Sequence, residues 1–248
     1  MSCHRLVLAC LLIAFAGMQS VAAGEKYFLL MFGAQQFPKD PDYAHTFATF
    51  VRQTDCAEGR RLEVRTISWL PLQLPPRILR LRPETGRNYE LHETMRGLLA
   101  LKERVSMWGP YEIEPELYEL AGKQIDRLNS GAIRYKAFDA FYGNNNVTNC
   151  IHAVAGLTER GRLRVFTPAW GDSASYFVLN KLLPWVVDPL TTHDHLVGEM
   201  GLDAYPIAYR KPFERHLLPP ATGLRLLVHD ALPEPTYGPP AVRGRAGR

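Results

Sequence analysis

Three runs of strand-forming residues follow one another closely in this chain, and the short links between them leave few ways to pair them. Tyr27–Phe32 (YFLLMF) is continuously apolar, as a strand covered on both faces requires. His45–Val51 (HTFATFV) is rich in aromatic and β-branched residues, and Leu62–Trp69 (LEVRTISW) comes after a polar loop, Gln53–Arg61, that holds Gly59. Phe37–Asp42 has two prolines and two aspartates and reads as a turn between the first run and the second. A parallel pair needs a crossover of roughly a dozen residues or more, so the second and third runs predict an antiparallel hairpin.

Helical periodicity comes later. Tyr89–Glu103 places Leu91, Met95, Leu98, Leu99 and Leu101 on an imperfect apolar face. Pro115–Asn129 is clearer: Pro115 sits in the first turn, apolar residues keep three–four spacing, and Gly131 is placed to close the end. Residues 71–88, with Pro71, Pro75, Pro76 and Pro83, read as an extended surface connection. Ile133–Phe138 reads as a short strand, and Asp139–Asn149 as a polar loop holding Gly143 and three consecutive asparagines. Cys150–Ala155 suits the start of a buried helix, Leu163–Phe166 a strand, and Ser173–Leu183 and Thr191–Met200 two more helices. Strands first and helices after predict an α+β fold, an antiparallel sheet packed against helices.

The two ends read differently from the middle. Arg5, the apolar stretch Leu6–Gly17 and the small-residue site Val21-Ala22-Ala23 have the pattern of a signal peptide over 1–23. Twelve apolar residues are too few to span a bilayer as a helix, so the expectation is an exported protein, periplasmic or extracellular, without stable membrane insertion once the leader is removed. From Leu232 the chain is rich in proline, glycine and arginine, which predicts a disordered tail over 232–248 and a single domain over 24–231. The formal charge is +4, but Arg5, Arg243, Arg245 and Arg248 lie at the ends; those four aside, the charges balance. Charge therefore gives no reason to expect a nucleic-acid partner.

With the leader gone, Cys56 and Cys150 are the remaining cysteines. An exported protein can pair two such residues in a disulfide or keep one as a working thiol. Asn149-Cys150-Ile151-His152 places a cysteine at a loop-to-helix junction, where unpaired backbone N–H groups and the helix dipole favour thiolate and can hold an oxyanion. His152, two residues on, points some 200° away on a helix, a poor direct base but a candidate support for the site. His45 opens an otherwise aromatic strand, an odd place for a solvated imidazole. Thr192-His193-Asp194-His195 reads as a helix start with Thr192 or Asp194 as its cap, and no metal site is expected from it. Phosphate-cradling glycine loops, a Gly-x-Ser-x-Gly elbow and a His-Glu-x-x-His helix are all absent from the sequence, which argues against the enzymes that carry them.

A cysteine in Asn-Cys-x-His at a helix start, with a histidine on a strand well upstream, resembles the circularly permuted papain-like superfamily, which includes permuted NlpC-type amidases and lecithin–retinol acyltransferase-like proteins. The resemblance covers Tyr27 to Leu157. It implies Cys150 as nucleophile, His45 as base, and a third polar residue on the Leu62–Trp69 strand, Ser68 ahead of Thr66. Asn149 and His152 become supporting or binding residues, and residues 71–130 an insertion larger than a minimal member has. Ala153 stands where the family has an aromatic, and Thr46-Phe47 departs from the small residues that usually follow the histidine. The function implied is an exported thiol-dependent amide or ester hydrolase or acyltransferase, acting on a peptide or cell-envelope amide ahead of a lipid acyl ester, with no cofactor. The other reading is a non-catalytic secreted binding or structural module, with Cys150 bonded to Cys56 or packed in the core.

Overall fold

The computed structural model describes residues 24–38, 40–56, 59–139, 146–157 and 171–209, with the backbone of Thr236–Tyr237. The expected leader, the strand at 163–166 and nearly all of the tail lie outside the described residues.

The three early runs form one meander. Strands β1 (Glu25–Gln35), β2 (Ala44–Cys56) and β3 (Gly59–Ile67) pair antiparallel, with Phe32 opposite Phe47 and Val51 opposite Val64. On the other side of β1 lies β6 (Arg104–Ile113), also antiparallel, then β9 (Ile207–Tyr209), parallel to β6, and β10 (Thr236–Tyr237). The sheet order is therefore β10-β9-β6-β1-β2-β3. The segment read as an insertion thus supplies the strand beside β1 at the centre of the sheet. Gly109 and Pro110 interrupt the strand pattern of β6, and they make its bulge. Two steps along β1, Leu29 to Met31, match three along β6, Tyr111 to Trp108. Gly109 has φ +88°, and a Cβ there would lie 2.6 Å from the Leu29 carbonyl oxygen, so a side chain is excluded twice over.

A smaller sheet continues from the edge. β3 ends at Ile67, Ser68 breaks the ladder, and β4 (Trp69–Pro71) leads away to pair with β5 (Glu84–Asn88). The Asn88 side chain holds the break, accepting from the Ser68 N–H at 2.9 Å and donating to the Thr66 carbonyl at 2.7 Å. Residues 71–88 are thus not wholly an extended connection. β5 pairs with β7 (Arg134–Tyr135), which pairs parallel with β8 (Val147–Thr148).

Helices cover both faces of the large sheet, which is why β1 is apolar throughout. Leu29, Met31, Ala48, Phe50 and Ile67 pack against α2 (Pro115–Asn129), α3 (Cys150–Ala155) and α4 (Asp172–Leu182). Phe28, Leu30, Phe32, Phe47 and Val51 pack against α1 (Leu91–Ala100) and α5 (His195–Glu199). α1 and α5 are shorter than the periodicity suggests: Leu101 closes α1 by donating its N–H to the Gly97 carbonyl, and α5 begins at His195 rather than Thr191. α4 approaches β1 so closely that a Cβ on Gly33 would lie 2.9 Å from Asp172 Cα. Mixed α+β with an antiparallel-rich sheet on helices is the architecture observed. Among the described residues no helix is long and apolar enough to cross a membrane.

Candidate functional site

Strand β2 alternates, and that alternation decides which candidate residues can meet. Thr46, Ala48 and Phe50 point to the face covered by α3 and α4; the Thr46 hydroxyl lies 3.0 Å from Ser175 of α4. His45, Phe47, Thr49 and Val51 point the other way, toward α1 and α5. The His45 ring therefore turns away from the face on which α3, the helix that carries Cys150, is packed. The structure brings His45 and Ser68 together, with Nε2 to Oγ at 2.9 Å, and the Thr94 hydroxyl of α1 donates to the same Ser68 oxygen at 2.8 Å. Thr66, the other candidate third residue, instead meets Thr49 at 3.1 Å. The His45 ring lies flat against Phe47, 5.3 Å between centroids and 12° between planes. Its Nδ1 is buried without a hydrogen-bond partner, so no thiol reaches it.

The helix carrying Cys150 is built as the sequence suggests. Asn149 caps it, its Oδ1 accepting from the His152 N–H at 2.8 Å. Asp139, which the sequence marks only as the start of a polar loop, organises the junction. Its carboxylate accepts from the Asn149 backbone and side-chain nitrogens, each at 3.1 Å, and lies 2.7 Å from His152 Nδ1. Asn149, His152 and Asp139 thus form one hydrogen-bonded cluster at the helix start. Cys150 and Cys56 are both free thiols, Cys150 buried and Cys56 exposed, so the disulfide alternative does not hold. Burial pushes the Cys150 thiol up to about 11; the backbone amides of Thr46 and Ile151 pull the other way but do not offset it, and the Asp139 carboxylate adds to the rise. Desolvation thus works against the expected thiolate, because the helix dipole acts on a group that water hardly touches.

A cleft of about 220 Å³ opens on the His45 side, between α1, the start of β2 and the chain leaving β4. Leu70, Leu74, Tyr89, Leu98 and Leu101 line it, and two polar atoms within its lining have no hydrogen-bond partner: His45 Nδ1 and Glu103 Oε2. His45 is 2% exposed and Glu103 7%. Burial alone pushes the His45 imidazole down to about 3, keeping it neutral, and pushes the Glu103 carboxyl up to about 7. Both residues line one cleft with apolar walls, the make-up of a small-molecule site. Sequence analysis singles out His45 but misses Glu103, whose position just after an amphipathic helix carries no signal of burial. Elsewhere, His193 and His195 pack on Phe28, and among the described residues no cluster of His, Cys, Asp and Glu is arranged to hold a metal ion. Comparison with known proteins adds no assignment: no family model, no curated protein and no solved structure matches the chain.

Proposed function

We propose that this chain is a non-catalytic binding protein whose working part is the cleft beside His45, with Cys150 serving as a packed core residue. The observation that carries this reading is the engagement of the His45 ring with Ser68 on the face away from α3, its other nitrogen buried without a partner. A general base must come within hydrogen-bond reach of the proton it takes, directly or through one water. The His45 ring is instead bonded to Ser68, and its free nitrogen meets no thiol. The cleft, by contrast, has apolar walls and two unsatisfied polar atoms, which is the make-up of a small-molecule site.

A second reading is favoured by one contact. Asp139 orients the His152 imidazole at 2.7 Å, at the same helix start as Cys150, in the way a third residue orients a catalytic base. On that reading the chain is an exported thiol hydrolase or acyltransferase of the permuted papain-like kind, acting on peptide, cell-envelope or lipid acyl groups, with the Asp139–His152 pair lowering the thiol through its charge rather than as a direct base.

Alkylation separates the two. With Cys56→Ser removing the exposed thiol, iodoacetamide should label Cys150 slowly, with a midpoint above about 9, in both the parent and His152→Gln. A midpoint well below about 8.5 that rises in His152→Gln would establish the hydrolase instead. In parallel, ligand-observed NMR with single-ring fragments should find binders that Gly97→Leu blocks. Gly97 lines the cleft, and a Cβ there meets nothing within 4 Å, so a leucine can fill the space without backbone strain.

A further inference from the structure

The cleft holds more chemical information than its shape. Its lining includes three carboxylates, Asp42, Glu93 and Glu103, and neither lysine nor arginine. Two of the three are engaged. Asp42 accepts from the Ile78 N–H at 2.9 Å, and Glu93 pairs with Arg87 at 2.8 Å. Glu103, the most deeply placed of the acids, keeps an oxygen with no partner. Ser68 Oγ receives the Thr94 proton and lies 2.9 Å from His45 Nε2. With Thr94 donating to it, the Ser68 hydroxyl has His45 Nε2 as the acceptor of its own proton, so Nδ1 carries the ring proton and Glu103 Oε2 is the unpaired acceptor of the cleft.

Resting on the binding reading above, we propose that the cleft takes a small apolar molecule carrying a protonated amine, with the ammonium seated on the Glu103 carboxylate and the apolar body against Leu70, Leu98 and Leu101. An ammonium has three donors and no acceptor, which matches the open lone pairs of the Glu103 carboxylate. It also supplies the counter-charge that a buried carboxylate lacks, whereas a carboxylate ligand would meet three acids and no cation. At about 220 Å³ the cleft is smaller than the roughly 300–1,000 Å³ of drug-sized sites, so a single ring or short chain fits and a peptide does not.

The test compares three probes of one shape and different charge: 2-phenylethylamine, 2-phenylethanol and phenylacetate, titrated into the full chain by NMR and calorimetry near neutral pH. The amine should bind roughly tenfold or more tighter than the alcohol, and phenylacetate weakest. Glu103→Gln should remove the preference for the amine over the alcohol while leaving the alcohol bound, and Gly97→Leu should block both. Thermal melts of the two variants confirm that they fold. If the alcohol or phenylacetate binds as well as the amine, and Glu103→Gln changes nothing, the amine assignment is overturned while the binding reading stands. If no probe binds the parent chain, both fall.

Discussion

Glu103 and His45 are two buried titratable groups in one cleft, and burial moves them in opposite directions. The Glu103 carboxyl rises from 4.5 to about 7, so the folded chain holds a proton that the unfolded chain releases. The stability this group contributes is present below about 4.5 and is lost as pH rises to about 7, a loss on the order of 3 kcal/mol. Glu103→Gln should therefore gain on the parent as pH rises from 4.5 to 7.5 and hold a constant advantage above that, as read by urea denaturation at stepped pH. His45 acts at the acid side. Its imidazole falls from 6.5 to about 3, so its contribution is present above about 6.5 and is lost as pH falls toward 3. Cys150 teaches a related point: the residue pattern favours a thiolate, but a 7% exposed thiol follows its solvation first.

At the level of elements, α3 shows how much a short helix depends on its start. Six residues are too few to be stable alone, so Cys150–Ala155 is held by its cap and by packing. Asn149→Ala removes the bond to the His152 N–H and both side-chain donations, to Asp139 and Ala137. It should cost about 1–2 kcal/mol by chemical denaturation, whereas Asn149→Asp, which keeps the cap but faces Asp139, should recover only part of it. The helix start was legible because a polar loop gives way to an apolar run at Cys150; the capping role of Asn149 came with the structure. β6 was not legible, because Gly109-Pro110 reads as punctuation and only pairing with β1 turns it into a bulge within a strand. The end of α1 at Ala100 was equally hidden, since Leu101 continues the apolar pattern while its N–H already closes the helix.

Across the whole molecule, one sheet carries two cores, and β2 feeds both from alternate residues. Phe47 and Phe50 are each fully buried, on opposite faces. Truncating either to alanine should cost about 3–5 kcal/mol, and fluorescence and circular dichroism should report one coincident unfolding transition, since neither core can open while the shared sheet stays closed. Separate transitions for the two substitutions would show two independent units. The sequence by itself determined the strand runs, the hairpin of the second and third, the helix at 115–129, a helix close to 173–183 and the helix start at Cys150, because each rests on neighbours within a few residues. Only the tertiary structure decided that β6 lies at the centre of the sheet, that Glu103 is buried, and that the His45 ring bonds Ser68 and turns from the face on which α3 packs. Those outcomes depend on which face of a strand meets which helix. A periodicity of two separates the faces of β2 but names neither of the helices that will cover them.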